Sequence, residues 1–234
     1  MNSQSKKQVN RPPEFIGNLR KNLIRVPHCI EEHCSGIRVL GKLLKSLIFS
    51  TDVAIIRNCN ADAVIAVYPF TPQPIITHAI TLVADKPVFC GIGGGLTSGR
   101  RSLEIAIDAE FQGAMGVVVN KPTPNSLIEK LKMKIEIPVI LTVVNEEEDF
   151  PSRIAAGVDI FNVSGAARTP EIIKKIHRIK PDMAIIATGG KTNETILAAI
   201  HAGAHAISWT PPSTAELFKD IMSRYRDGKL YGDD

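Results

Sequence analysis

Short apolar runs alternate with helical patterns from Leu47 to Trp209. The runs are Leu47–Thr51, Ala63–Val67, Pro87–Gly91, Met115–Val119, Pro138–Val143, Asp159–Val163, Met183–Ala187 and His205–Trp209. Each is almost continuously apolar, as parallel strands covered on both faces must be. Most end in Gly, Asn, Ser or Thr. The segments between them carry apolar residues three and four apart, as at Ile196, Ala199 and Ile200, which is the spacing of one helix face. An internal echo recurs before three of the runs: Phe111-Gln112-Gly113-Ala114, Ala155-Ala156-Gly157-Val158 and His201-Ala202-Gly203-Ala204. Glycine at such a helix end takes the left-handed cap conformation without a Cβ penalty. Eight strand–helix units predict an α/β protein, a (β/α)8 TIM barrel. The alternative is an open doubly wound sheet.

Residues 1 to about 35 are the least regular. Polar residues and Arg11-Pro12-Pro13 lead into a mixed, partly helical stretch. Gly41 lies between two apolar runs and predicts a hairpin feeding the first barrel strand. The expected division is an N-terminal helical and hairpin extension over 1–44 and the barrel over 45–234. The extension is placed to plug the barrel bottom or to meet a partner subunit.

The chain has 234 residues with a net charge of +4, 44% hydrophobic and 5% aromatic. That suits one barrel domain. The charge is mild and dispersed, without the basic face and aromatics of a nucleic-acid binder, so no nucleic-acid partner is expected. No apolar run approaches a membrane span, and no apolar stretch follows the polar N-terminus. A cytoplasmic protein without membrane partners is expected. Cys29, Cys34, Cys59 and Cys90 show no disulfide framework. His28-Cys29 and His33-Cys34 match no common zinc spacing, so no metal is expected.

In a barrel the site is built by the loops that leave the strand C-termini. One candidate anion site is Thr188-Gly189-Gly190 after strand seven with Ser213-Thr214 after strand eight. The glycines would let backbone N–H groups approach an oxyanion, and the last helix would point its N-terminus there. Two prolines, Pro211 and Pro212, remove donors from that loop. A second candidate is Gly93-Gly94-Gly95-Leu96-Thr97-Ser98-Gly99-Arg100. There an anion nest is expected, with Thr97 or Ser98 as helix cap and Arg100 gripping a carboxylate or phosphate. It lacks the ending of a phosphate-binding P-loop.

Asp52 follows strand one and is the candidate base, although Asp is also a preferred helix cap. Lys121 follows strand four as a candidate imine-forming or anion-binding amine. The run Glu146-Glu147-Glu148-Asp149 is expected to be a solvated helix start, favoured by the helix dipole. Asn120, Asn145, Asn162 and Ser164 bring uncharged hydrogen-bonding groups to the mouth. Tyr68 offers a phenol and Trp209 a stacking surface. No Gly-x-Ser-x-Gly elbow is present.

Gly189-Gly190 resembles the strand-seven loop of the ribulose-phosphate-binding barrel superfamily. Ser208-Trp209-Thr210-Pro211-Pro212 departs from the glycine-bearing strand-eight loop of that superfamily. Its aldolases usually carry their lysine on strand six, where this chain has Asn162 and Ser164. From Ile37 to Tyr225 the chain also resembles a family of bacterial β/α-barrel proteins often loosely labelled hydrolases. That resemblance rests on Lys45–Asp52, Ala66-Val-Tyr-Pro-Phe70, Gly93–Gly99 and Gly116-Val-Val-Val-Asn120. Together these readings lead to a barrel enzyme acting on a small phosphorylated or carboxylated metabolite by lyase or isomerase chemistry. The alternatives are a hydrolase, an FMN-binding barrel and a non-enzymatic phosphometabolite sensor. Apart from FMN no cofactor is expected, and barrels of this size often form homo-oligomers.

Overall fold

Each predicted run forms a strand within two residues of its expected ends. In the computed structural model, which describes Pro13, Phe15 and residues 23–228, the N-terminal elements are α1 (His28–His33), β1 (Ile37–Val39) and β2 (Lys42–Leu44). Then come β3 (Ser46–Phe49), α2 (Val53–Arg57), β4 (Ala63–Ala66), α3 (Pro74–Val83), β5 (Val88–Gly93) and α4 (Arg100–Phe111). They are followed by β6 (Gly116–Asn120), α5 (Asn125–Lys132), β7 (Val139–Val143), α6 (Phe150–Ala155), β8 (Ile160–Val163) and α7 (Thr169–Ile179). The chain continues through β9 (Ala184–Thr188), α8 (Asn193–His201), β10 (Ala206–Trp209) and α9 (Thr214–Arg226). Most of the irregular N-terminal stretch, including Arg11 and Pro12, lies outside the described residues.

The strands β3 to β10 pair in parallel, and β10 closes on β3. The open-sheet alternative is thereby excluded, and the fold is a (β/α)8 TIM barrel. Period-2 alternation assigns each strand residue to a layer. Leu47, Ala63, Ile65, Phe89, Val118, Ile140, Ile160, Ile186 and Ala206 form the inner cluster. Ile48, Val64, Cys90, Val117, Leu141, Phe161, Ile185 and Ile207 alternate with them and pack outward under the helices. Both faces are buried, which explains the unbroken apolar runs.

The hairpin β1–β2 turns on Leu40 and Gly41, both at positive φ (45° and 83°). That backbone matches strand twist and favours glycine. It places Val39 and Leu44 in the inner cluster, so the hairpin closes the barrel from below. The echoed glycines Gly113, Gly157 and Gly203 have φ of 87°, 103° and 114°, the left-handed conformation their sequence position requires. Among the described residues, no helix is long and apolar enough to cross a membrane.

Candidate functional site

The parity of the inner cluster decides which residues face the mouth. One step of two residues above Val118, Ile140, Ile160 and Ile186 stand Asn120, Thr142, Asn162 and Thr188. The apolar filling therefore gives way to neutral polar side chains at the C-terminal ends of β6 to β9. With Ser164 and Thr210 they ring a cavity of about 260 Å³ whose floor and opposite wall are Phe49, Ile65, Val67 and Val118. None of these residues is ionisable.

Asn162 is the most buried of the polar lining residues, with only 6% of its surface exposed. Its Nδ2 donates to Thr142 Oγ1 at 3.1 Å, and its Oδ1 has no partner in the protein. A buried amide with one unmet group costs about 1–3 kcal/mol. Asn120, Asn162, Ser164 and Thr188 were singled out from the sequence. Thr142 was not, although it is the one polar residue in the apolar run Pro138–Val143 and has the inward parity of Ile140.

A second lobe lies beside the first, with Val67, Val118 and Asn120 lining both. It lies between the Val67–Pro72 loop and the glycine-rich loop, with a volume of about 190 Å³. Gly93, Gly95 and Thr97 line it, as do Tyr68, Phe70 and Leu96. Tyr68 is pinned, since its hydroxyl accepts the Gln73 N–H at 2.8 Å.

The glycine-rich loop is a packed turn, not a bare anion nest. Gly94 N donates to Thr97 O at 2.9 Å. Gly93 and Gly94 sit at φ 126° and 101°, and a Cβ on either would strike backbone: Thr97 O for Gly93 and Asn120 N for Gly94, both at 2.5 Å. The expected caps are corrected here. Gly99 is the N-cap of α4 and no side chain caps it; Thr97 is buried and Ser98 is exposed. Arg100 is likewise corrected, because it points outward and pairs with Glu104 at 2.6 Å.

The expected anion site after strands seven and eight is corrected as well. Gly189 N is taken by Ser208 O at 2.8 Å. Gly190 is glycine because Thr195 leaves no room for a side chain. The N-terminus of α9 already holds a carboxylate: Glu216 accepts from Ser213 N and Ser213 Oγ, each at 2.7 Å. Those bonds hold the Glu216 carboxyl below its ordinary value. Glu194, held low by Thr192, does the same service in the first turn of α8. Two helix termini supplied with their own carboxylates repel a phosphate. The same loops do not fit the phosphate of FMN. A mouth lining without a carboxylate likewise fits no divalent cation.

Asp52 serves as the N-cap of α2, accepting from Ala54 N at 2.9 Å and Ile55 N at 3.2 Å. Its other oxygen accepts from the Thr214 hydroxyl. The Thr214 bond, aided by the two amides and opposed by burial, lowers its pKa from 3.8. A carboxylate so engaged is a poor base, and it does not line the mouth. Its role is structural, tying the first barrel loop to α9. Because the folded value is depressed, the stabilisation is complete above 3.8 and is lost as pH falls through the folded value. Asp52→Ala is expected to cost about 1 kcal/mol near neutral pH, and the difference should shrink toward zero in strong acid. Urea titrations at both pH values check this.

Lys121 turns away from the cavity. Its Nζ donates to Asn145 Oδ1 at 3.0 Å and lies 3.9 Å from Glu148 Oε2. The acidic run behind it is also corrected. Only Asp149 caps α6, whereas Glu148 is buried against Arg153 at 2.7 Å. Trp209 has the outward parity and packs against the helix layer, so it does not stack in the mouth. His28 and His33 are exposed beside Glu32, while Cys29 and Cys34 are buried. Burial raises the Cys34 and Cys90 thiols to about 12. Among the described residues no three His, Cys, Asp or Glu side chains converge on a metal position.

No family model matches the chain, and no curated protein matches it in sequence. Solved structures resemble it in fold. A candidate phosphonomutase from Burkholderia cenocepacia J2315 superposes with a TM-score of 0.61 at 15% identity, over 85% of this chain and 97% of that one. A dihydrodipicolinate synthase from Bacillus anthracis gives 0.55 at 12% identity, over 78% and 76%. A phosphonopyruvate hydrolase in complex with oxalate and Mg²⁺ gives 0.58 at 13% identity, over 81% and 84%. At these identities the likeness is to the barrel. The hydrolase-labelled family read from the sequence finds no matching model.

Proposed function

We propose that this barrel binds a small metabolite through a neutral, hydrogen-bonding head group such as an amide, carbonyl or hydroxyl. The observation that supports this is a cavity without one ionisable lining residue, with the unmet Asn162 amide among its walls. A charged head group there would have no counter-charge, and burying an unpaired charge is far costlier than burying a paired dipole. The reading moves the ligand class from the phosphorylated or carboxylated metabolite expected from the sequence to an uncharged one.

Acetamide and acetate differ little in shape and by one charge. Acetamide is expected to shift the Asn162 and Thr142 NMR resonances, and acetate is expected to leave them unmoved. Asn162→Leu should weaken acetamide binding about tenfold or more, in line with about 1–3 kcal/mol for an unmet buried partner. A preference for acetate at the same residues would sink the proposal.

A second reading is turnover of that ligand by lyase or isomerase chemistry. One observation favours it: Lys121 follows Asn120 in the chain, and its amine, held by Asn145 outside the cavity, lies 3.9 Å from the nearly buried Glu148. The barrels it resembles bear the names of a mutase, a synthase and a hydrolase, and fold alone does not choose among them. Product formed from a carbonyl-bearing panel, and abolished by Lys121→Met without loss of acetamide binding, would establish turnover.

A further inference from the structure

We infer that the mouth takes a two-part ligand: a neutral head over Asn162 and a ring-sized apolar part in the lobe between the Val67–Pro72 and Gly93–Thr97 loops. The inference rests on the proposed head-group site and adds the class of molecule that fills it.

The two spaces are neighbours, since Val67, Val118 and Asn120 line both. Their chemistry differs. The central space carries hydroxyls and amides on the β6 to β9 side. The lobe carries Val67, Pro69, Phe70 and Leu96 on its walls. Its volume of about 190 Å³ is more than the roughly 150 Å³ of an apolar cavity that takes up benzene. Phe70 is 74% exposed and Leu96 is fully exposed, and both border this lobe. Large apolar side chains held at a cavity rim lose water-exposed area only when something enters.

The backbone makes room for such a part. Gly91 lies against Val67, with only 3.1 Å between a Cβ there and Val67 Cγ2. Gly93 and Gly94 are fixed by the packing described above. Gly95 is different: a side chain there would meet nothing within 4 Å, and its φ is not positive. The glycine at 95 is therefore not required by the fold, and it keeps the lobe wall bare.

Acetamide and phenylacetamide present the same head with and without a ring. Phenylacetamide should bind the protein about tenfold or more tightly, with ring protons showing NOEs to Val67, Phe70 and Leu96. Gly95→Leu should fill the lobe and remove the phenyl advantage while leaving the acetamide shifts at Asn162 intact. Phe70→Ser should reduce the advantage from the other wall. If acetamide moves Asn162 but the ring adds nothing, or its NOEs fall elsewhere, the two-part ligand is overturned and the head-group proposal stands. If neither amide moves Asn162, both are overturned.

Discussion

Gly94→Ala is expected to destabilise the protein by about 3 kcal/mol, because two separate costs meet at one methyl group. The first is conformational. Gly94 sits at φ 101°, a region an L side chain enters only at about 1–3 kcal/mol. The second is steric. The new Cβ would lie 2.5 Å from Asn120 N and 2.9 Å from Asn120 O. Those are backbone atoms of β6, itself held in the barrel ladder between β5 and β7. A flexible side chain could swing aside, but this strand end cannot, and forced overpacking typically costs about 1–3 kcal/mol. Gly95→Ala is the matched control one residue away, with open space and no positive φ. It should change stability by no more than about 0.5 kcal/mol. Urea titration of both variants gives the comparison. Equal midpoints would mean that the glycine-rich loop does not lean on Asn120, and the shape of both lobes would then be wrong.

The fold could be read from the chain because each strand is apolar on both faces and each unit ends in its own turn chemistry. Gly113, Gly157 and Gly203 marked helix ends locally, and their positive φ follows from that position alone. The mouth was half readable. Asn120, Asn162, Ser164 and Thr188 lie where a strand meets its loop, and period-2 counting from the inner apolar residues would have added Thr142. What failed were the roles that depend on which partner a group has already taken, near or far along the chain. Asp52 looked free to act as a base until Thr214, 162 residues on, donated to it. Ser213 looked ready for phosphate until Glu216 folded back on its amide and hydroxyl. Glycines at 189 and 190 look the same whether they serve a phosphate or make room for Ile207 and Thr195. Composition fixes which chemistry is available, and only packing shows which groups are already spent.

Glu148 is the clearest such case, and it leads to the other large effect. One acidic residue in a run of four was expected to be solvated like the rest. It is buried because Arg153, one turn into α6, reaches back to it. The Arg153 and Glu148 side chains keep only 12% and 6% of their surface exposed. Arg153 also donates to Asn125 Oδ1 at 2.7 Å, to Lys121 O at 2.8 Å and to Thr123 O. One guanidinium thus fixes the whole loop that follows β6 and carries Asn120 into the mouth. Arg153→Met keeps the stem volume and removes every donor. It leaves a buried carboxylate with only the more distant Lys121 amine, 3.9 Å away, and takes the donor from two carbonyls, so a loss of about 3 kcal/mol is expected. Glu148→Gln should cost less, because Arg153 retains three acceptors. Replacing both, with Met at 153 and Leu at 148, should recover part of the loss, since two apolar groups need no partner. With the Glu148→Leu single variant added, the double-mutant cycle closes and reads the coupling directly. Acetamide binding measured on the Arg153→Met protein under stable conditions should fall too, as Asn120 loses its anchored loop. If Arg153→Met unfolds within about 0.5 kcal/mol of the parent, the pair is solvated and the loop is held by something else.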